Sequence, residues 1–431
     1  MRVIEVPAYS VPPALLVRYL TQPGRGGTIA RMNQQVIVAG GGIGGLACAL
    51  ALARAGVRSV VLEQAEAFGE VGAGLQLGPN AVRVLAEWGL MDALQSCAAF
   101  PEALRVRDAH RATQLGHLRL GALALARHGQ HYATLHRADL HGLLLSAVQR
   151  RPEVQLRQGE RLARWTEDGE GVQVALEDGE TLSGEALIGC DGLWSRVRAG
   201  LLGGPPVRAT GHLAYRGMVR SVDLPTPLRA NLVTAWLAPR LHVVHYPVKQ
   251  GDWFNLVAVV QGQLPPGDDP QGWTHEAHAS DLRRALGPAC GELMAMVAAV
   301  PDWTLWPLND RPALRGPHEQ ARGRVALLGD AAHPMRPYFA QGAAMAIEDA
   351  WTLGRLVQDR EAGSDWALWL SRYARTRWQR NARVQKLSQR NGVVFHAQGM
   401  LRWARDSAMS MLGERLLDNT WLYDGPPEPM R

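Results

Sequence analysis

Val36-Ile37-Val38-Ala39 runs directly into Gly40-Gly41-Gly42-Ile43-Gly44-Gly45 and then into the alanine- and leucine-rich stretch Leu46 to Ala55, which Gly56 closes. A short β-branched run, a glycine turn and a helix-forming stretch leave few options: a buried parallel strand feeding a helix through a tight loop. A second apolar run, Ser59 to Leu62, stops at Glu63. In that context Gly40 permits the turn, Gly42 lets the backbone approach a pyrophosphate, and Gly45 lets strand and helix touch. Ile43 and Gly44 open the helix, where free amides and the positive dipole end favour phosphate. Glu63, at the strand end, accepts from both hydroxyls of an adenosine ribose and repels a 2′-phosphate. The bound nucleotide expected here is FAD or NAD rather than NADP.

The chain has 431 residues, 47% apolar and 20% charged, which excludes wholesale disorder and allows about two to three domains. Basic residues number 46 against 40 acidic, and only Lys249 and Lys386 are lysines. They are spread along the chain without a nucleic-acid motif, so no nucleic-acid partner is expected. Cys48, Cys97, Cys190 and Cys290 show no metal-ligand spacing, which argues against zinc and disulfides and for a reducing cytoplasm. The uncharged stretch Val36 to Ala53 is broken by its glycines, so stable membrane insertion is not expected. Residues 1–31, rich in proline and glycine, read as a flexible extension in front of Met32.

Two later segments separate FAD from NAD. Ala186-Leu187-Ile188-Gly189-Cys190-Asp191-Gly192 is a strand running into Asp-Gly, with Ser195 and Arg198 four and seven residues after Asp191. Arg324 to Pro334 is a strand ending in Gly329-Asp330, followed by Ala331-Ala332-His333-Pro334 and, through Gln341-Gly342-Ala343, by a helix from about Ala344 to Val357. With these three motifs in this order, the stretch Gln34 to Trp421 resembles the single-component FAD-dependent aromatic hydroxylases: salicylate, hydroxybenzoate and hydroxynicotinate monooxygenases. The resemblance implies an α/β fold, a Rossmann-like FAD-binding domain with an inserted antiparallel sheet for substrate and helices at the C-terminal end. The expected divisions are 32–205 and its return 311–360 for FAD, 206–310 for substrate, and 361–431 as a helical region.

The resemblance also assigns roles. Gly40, Gly42, Ile43, Gly44 and Gly45 lie against the FAD pyrophosphate, with Glu63 on the ribose. Arg137 is directed at the cofactor, and Asp191 belongs to a motif serving FAD and pyridine nucleotide. Asp330 bonds the ribityl chain beside Pro334, and the amides of Gly342 and Ala343 face the pyrimidine ring. The glycine-rich loop Glu70 to Asn80, with Gly74 and Gln76, passes beside the flavin. The implied activity takes hydride from NADH or NADPH, adds molecular oxygen to give a flavin hydroperoxide, and hydroxylates a small aromatic acid. The protein would work as a monomer or homodimer.

The middle of the chain is strand-rich, and a sheet between Asp191 and Asp330 would roof the flavin. In His242-Val243-Val244-His245-Tyr246, period-two alternation puts His242, Val244 and Tyr246 on one face and His245 on the other. A His-x-x-x-Tyr here serves substrate in related hydroxylases, which singles out His242 as base and Tyr246 as its companion. A base with pKa near neutrality suits phenol deprotonation, since phenolate charge enriches the ortho and para carbons. Tyr338, Arg216 and Gln76 complete the substrate candidates, Arg216 as carboxylate partner. Pro337 departs from 3-hydroxybenzoate 6-hydroxylases, several of which have glutamine there, so ring and position stay open. From Ser371 onward the basic run Arg372 to Arg390 reads as a solvated helix face. Two other function classes remain at this stage, an FAD dehydrogenase or oxidase and a flavin-binding sensor.

Overall fold

The computed structural model describes residues 35–69, 73–203, 207–264, 269, 275–277, 279–360 and 364–429. The expected extension at 1–31 and the start of the glycine-rich loop at 70–72 lie outside the described residues.

The glycine motif sits where its composition requires. Val36–Ala39 is fully buried and pairs in parallel with Ser59–Glu63 on one side and Ala186–Gly189 on the other. Among the described residues this sheet has six strands, in the order Ala321–Arg322, Val325–Leu327, Ala186–Gly189, Val36–Ala39, Ser59–Glu63, Val154–Gln158. Every pairing is parallel except that of the first two strands. The three sequence motifs therefore leave adjacent parallel strands at their carboxyl ends, the edge where open α/β sheets bind ligands.

The helix after the glycines, Ile43–Arg54, lies against the helix Gly342–Gln358 so closely that a Cβ on Gly354 would stand 2.9 Å from that of Ala51. Gly45 admits no side chain, because its Cβ would fall on the carbonyl oxygen of Gly40. Gly40 itself has φ +106°, open only to glycine at ordinary energy.

The second large sheet has eight strands among the described residues, in the order His275–Ala277, Trp303–Asp310, Arg208–Arg220, Trp253–Gln261, Leu241–Val248, Leu232–Ala238, Ala103–Asp108, Gln114–Arg119. It is antiparallel apart from the parallel pairing of Leu232–Ala238 with Ala103–Asp108, strands that come from either side of the Asp-Gly motif. One face packs on the helices Ala279–Leu286 and Gly291–Ala298 through Leu213, Tyr215, Val243, Leu256 and Ala258. The other face turns towards Tyr338, Phe395 and the motif loops.

The basic C-terminal run corrects an expectation. Trp366–Phe395 is one thirty-residue helix, but its Arg377 is not solvated. Arg377 is fully buried and donates to Asp349 at 2.7 Å and Glu348 at 2.8 Å, while Arg380 adds 2.7 Å bonds to Glu348. Those acids stand on a different helix, Gly342–Gln358, so charge counting along the basic run alone misses them. Burial pushes the Asp349 carboxyl up, but His333 and Arg377 beside it pull it below the ordinary range overall. Arg375, Arg383 and Arg390 do remain exposed. No helix among the described residues is long and apolar enough to cross a membrane.

Candidate active site

At the carboxyl edge of the parallel sheet, backbone donors gather. Neither Ile43–Arg54 nor Gly342–Gln358 has a side-chain cap or an acidic residue in its first turn. Their leading amides, from Ile43, Gly44, Gly342 and Ala343, thus remain for an anionic or electron-rich guest. Glu63 ends its strand with Oε2 accepting from Gly41 N at 2.7 Å and Oε1 from Ala65 N at 2.9 Å, which fixes its carboxylate at the turn. Asp191 accepts from the amides of Arg196 and Val197 at 2.7 and 3.1 Å through Oδ2, and its Oδ1 is buried without a partner. Burial raises its pKa despite those bonds and that of Ser195. Arg198 ties this motif to the third one by donating to the carbonyls of Ala331 and Ala332 at 3.2 and 2.8 Å.

Asp330 is exposed, with Oδ1 4.0 Å from where a Cβ on Gly342 would sit. Pro334 is buried, its carbonyl held by Gln385 at 3.1 Å. Arg137 opens the helix Arg137–Gln149, and its amide bonds Ala73 O at 3.2 Å. The uncapped helix ends, the ribose-ready carboxylate and the orphaned Asp191 oxygen make a donor and acceptor set that fits FAD.

The sheet supplies the other wall, and its register lays out a grid. His242 pairs with Val259, Val244 with Val257, and Tyr246 with Asn255. On the next strand Val259 faces Ala214, Val257 faces Arg216, and Asn255 faces Met218. All nine side chains point to the same face, because alternate residues do. The outer residues His242, Val259 and Ala214, like Tyr246 and Asn255, are buried, whereas the middle row Val244, Val257 and Arg216 retains accessible surface. The middle row, with Met218 beside it, is therefore the part of this face left least covered.

Arg216 is surrounded by protein yet keeps surface, as a residue facing an internal cleft does. Its guanidinium lies 3.6 Å from the Trp306 ring centroid, and its Nε is buried without a hydrogen-bond partner. Burial lowers its pKa to about 10, with Tyr246 opposing and Arg137 adding to the shift. No carboxylate among the described residues forms an ion pair with it.

Tyr246 closes one end of the grid against Gly74, Gln76 and Asn255. Gln76 in turn accepts from Tyr132 Oη at 2.7 Å, and Asn255 Oδ1 accepts from Gly74 N at 2.7 Å. The sheet is thereby fastened to the loop expected beside the flavin. His242 closes the other end, 5.2 Å from the Tyr338 ring and 5.3 Å from that of Phe395. Burial, with His396 and His212 nearby, holds its pKa well below the usual histidine value. His245 occupies the opposite face, stacked on Trp236, and burial with Arg107 takes its pKa down to about 3.

Tyr338 is 4% exposed and its hydroxyl lies 2.6 Å from His212 Nδ1, so the phenol group is engaged within the wall. Sequence reasoning misses His212 and His396. The signal for His212 is present, since it stands four residues before Arg216 on the same strand. His396 leaves no such signal, because it follows a helix end 154 positions from its partner His242.

The FAD binding domain family matches residues 33–388. The 3-hydroxybenzoate 6-hydroxylase of Polaromonas naphthalenivorans strain CJ2 is 37% identical over 390 residues, 90% of this chain and 95% of that one. The 6-hydroxynicotinate 3-monooxygenase of Bordetella bronchiseptica is 35% identical over 364 residues, 83% of this chain and 91% of that one. Among solved structures, a salicylate hydroxylase substrate complex superposes with TM-score 0.77 and 28% identity, covering 92% of this chain and 97% of that one.

Proposed function

Because this chain belongs to the FAD binding domain family and, within it, to the FAD-dependent aromatic monooxygenases, we propose that it hydroxylates a small phenolic carboxylate of the salicylate or hydroxybenzoate type. Bound FAD supplies the chemistry of taking electrons from NADH or NADPH and activating molecular oxygen. Gly40, Gly42, Ile43, Gly44 and Gly45 with Glu63 would hold its adenosine diphosphate half. Asp330, Pro334, Gly342, Ala343, Gly74, Arg137 and Asp191 would hold the remainder.

The observation that carries the substrate class is Arg216, a cation inside the cleft without an acidic partner among the described residues. Leaving such a charge uncompensated is unfavourable, and a ligand carboxylate relieves it. His242 stands two strands away, ~10 Å across the sheet at ~4.8 Å per strand, with the apolar Val257 and Val259 on the strand between. An aromatic ring laid over those valines presents its carboxylate to Arg216 and its hydroxyl to His242. Arg216 then orients the ring, Trp306 and the valines keep water from it, and His242 takes the hydroxyl proton at Nε2. Burial with His396 and His212 holds the pKa of His242 well below the near-neutral value expected of such a base, so its imidazolium forms only where the phenolate made beside it compensates the charge.

The test is a panel of 3-hydroxybenzoate, salicylate and 6-hydroxynicotinate with the FAD-loaded protein, NADH or NADPH, and oxygen. Ring-stimulated oxidation with about one hydroxylated product per reduced nucleotide is expected for at least one member. Peroxide with no hydroxylated ring in every case would refute the proposal in favour of an oxidase.

A further inference from the structure

His242 Nδ1 lies 2.9 Å from His396 Nε2, with both rings buried. Two imidazoles sharing one hydrogen bond must divide the roles, since one nitrogen donates and the other accepts. If His242 Nδ1 donates, its Nε2 carries a lone pair and can receive a phenol proton. If His396 Nε2 donates, His242 Nε2 bears hydrogen and cannot. The partner thus decides whether His242 is a base at all.

From this geometry we infer that His396 is a positioning residue, accepting the Nδ1–H of His242 and so presenting His242 Nε2 to the substrate as an acceptor. The inference rests on the role of His242 given above. When the phenol O–H bond breaks, its proton forms an N–H bond at His242 Nε2, and the charge of the resulting imidazolium is shared across the hydrogen bond to His396.

His396 is itself held in place. It ends the helix Trp366–Phe395, whose final carbonyls on Val394 and Phe395 accept from Arg405 at 3.2 and 2.9 Å. Its own carbonyl accepts from Arg240 N at 3.2 Å, in the turn that leads into the strand of His242. In this tautomer the single N–H of His396 stands on Nδ1, which is buried with no partner, so nothing there fixes the proton in place. The arrangement is consequently poised rather than locked, and a substrate hydroxyl at His242 Nε2 tips it. The charged and titratable groups around the pair are His212 and Tyr338, which bond each other, Arg336 with its partner Asp310, and Arg405. Among the described residues no carboxylate lies within ion-pair distance of either ring, so the imidazole pair has to manage the proton alone.

The test reads the ionisation of the bound phenol rather than turnover. FAD-loaded protein without reduced nucleotide is titrated by difference absorbance with the member of 3-hydroxybenzoate, salicylate and 6-hydroxynicotinate that binds tightest. His396→Phe removes the acceptor and should raise the ionisation midpoint by about one pH unit, a tenfold loss of phenolate below it. His396→Gln, whose amide oxygen can accept near the Nε2 position, should restore most of that shift. An unchanged midpoint in His396→Phe, with flavin content retained, overturns the inference. His242→Ala is titrated alongside: if it shifts the midpoint and His396→Phe does not, only the role of His396 falls. If neither shifts it, the reading of His242 as base falls as well. Should the phenylalanine variant not fold, histidine 15N shifts in the wild-type protein with bound salicylate decide, an N–H at His242 Nδ1 supporting the inference and a His242 protonated at Nε2 alone in that complex contradicting it.

Discussion

Where the parallel sheet ends, the protein offers mainly backbone: uncapped helix amides and glycines that admit no Cβ. Where the antiparallel sheet faces the same space, it offers side chains set by strand register, Arg216, His242 and Tyr246 among them. Backbone sites depend on local dihedrals and therefore leave motifs in the sequence. Side-chain sites depend on which strands pair and what packs above them, which no short motif encodes.

That contrast can be broken most forcefully behind the nucleotide edge. Arg377→Leu leaves Asp349 without its guanidinium partner and weakens the hold on Glu348, and a buried pair broken on one side costs about 3–5 kcal/mol. Urea unfolding of the FAD-loaded protein should show that loss, while Arg375→Gln on the exposed face of the same helix should stay within about 0.5 kcal/mol. Equal effects would mean the buried network is not what joins the two helices.

A smaller effect separates the two faces of the antiparallel sheet. His245 is buried with both ring nitrogens unpartnered and a pKa of about 3. Its folded pKa lies below the unfolded value near 6.5, so its neutral form stabilises the fold above pH 6.5 and that contribution fades as pH falls towards 3. His245→Phe should be close to neutral at pH 7.5 and more stable than the parent by about 2 kcal/mol at pH 5, at ~1.4 kcal/mol per pH unit. Catalytic constants should not change, because the residue faces away from the cleft. Lost turnover would place the site on the wrong face.

The nucleotide edge is largely legible in the chain itself. Strand, glycines, helix and Glu63 stand within 28 consecutive residues, and the Asp191 and Asp330 motifs declare themselves by short spacings. Period-two alternation separates His242 from His245, the family resemblance selects His242, and the two do lie on opposite faces. What local pattern does not carry is everything that depends on distant pairing. Arg377 reads as solvated because its acid Asp349 lies 28 residues upstream on another helix. His396 reads as a helix-end residue because the strand it meets is 154 residues earlier. The central position of Arg216 also requires strand order, which places the strand of Val257 between it and the strand of His242.

The substrate reading turns on Arg216 receiving the ring's carboxylate. It is tested by comparing kcat/KM for the best hydroxy acid of the panel and for its carboxamide, in the parent and in Arg216→Met. The parent should prefer the acid by about a hundredfold, near 2.7 kcal/mol, and the variant should lose most of that preference while still binding FAD. A preference that survives intact in Arg216→Met would contradict it.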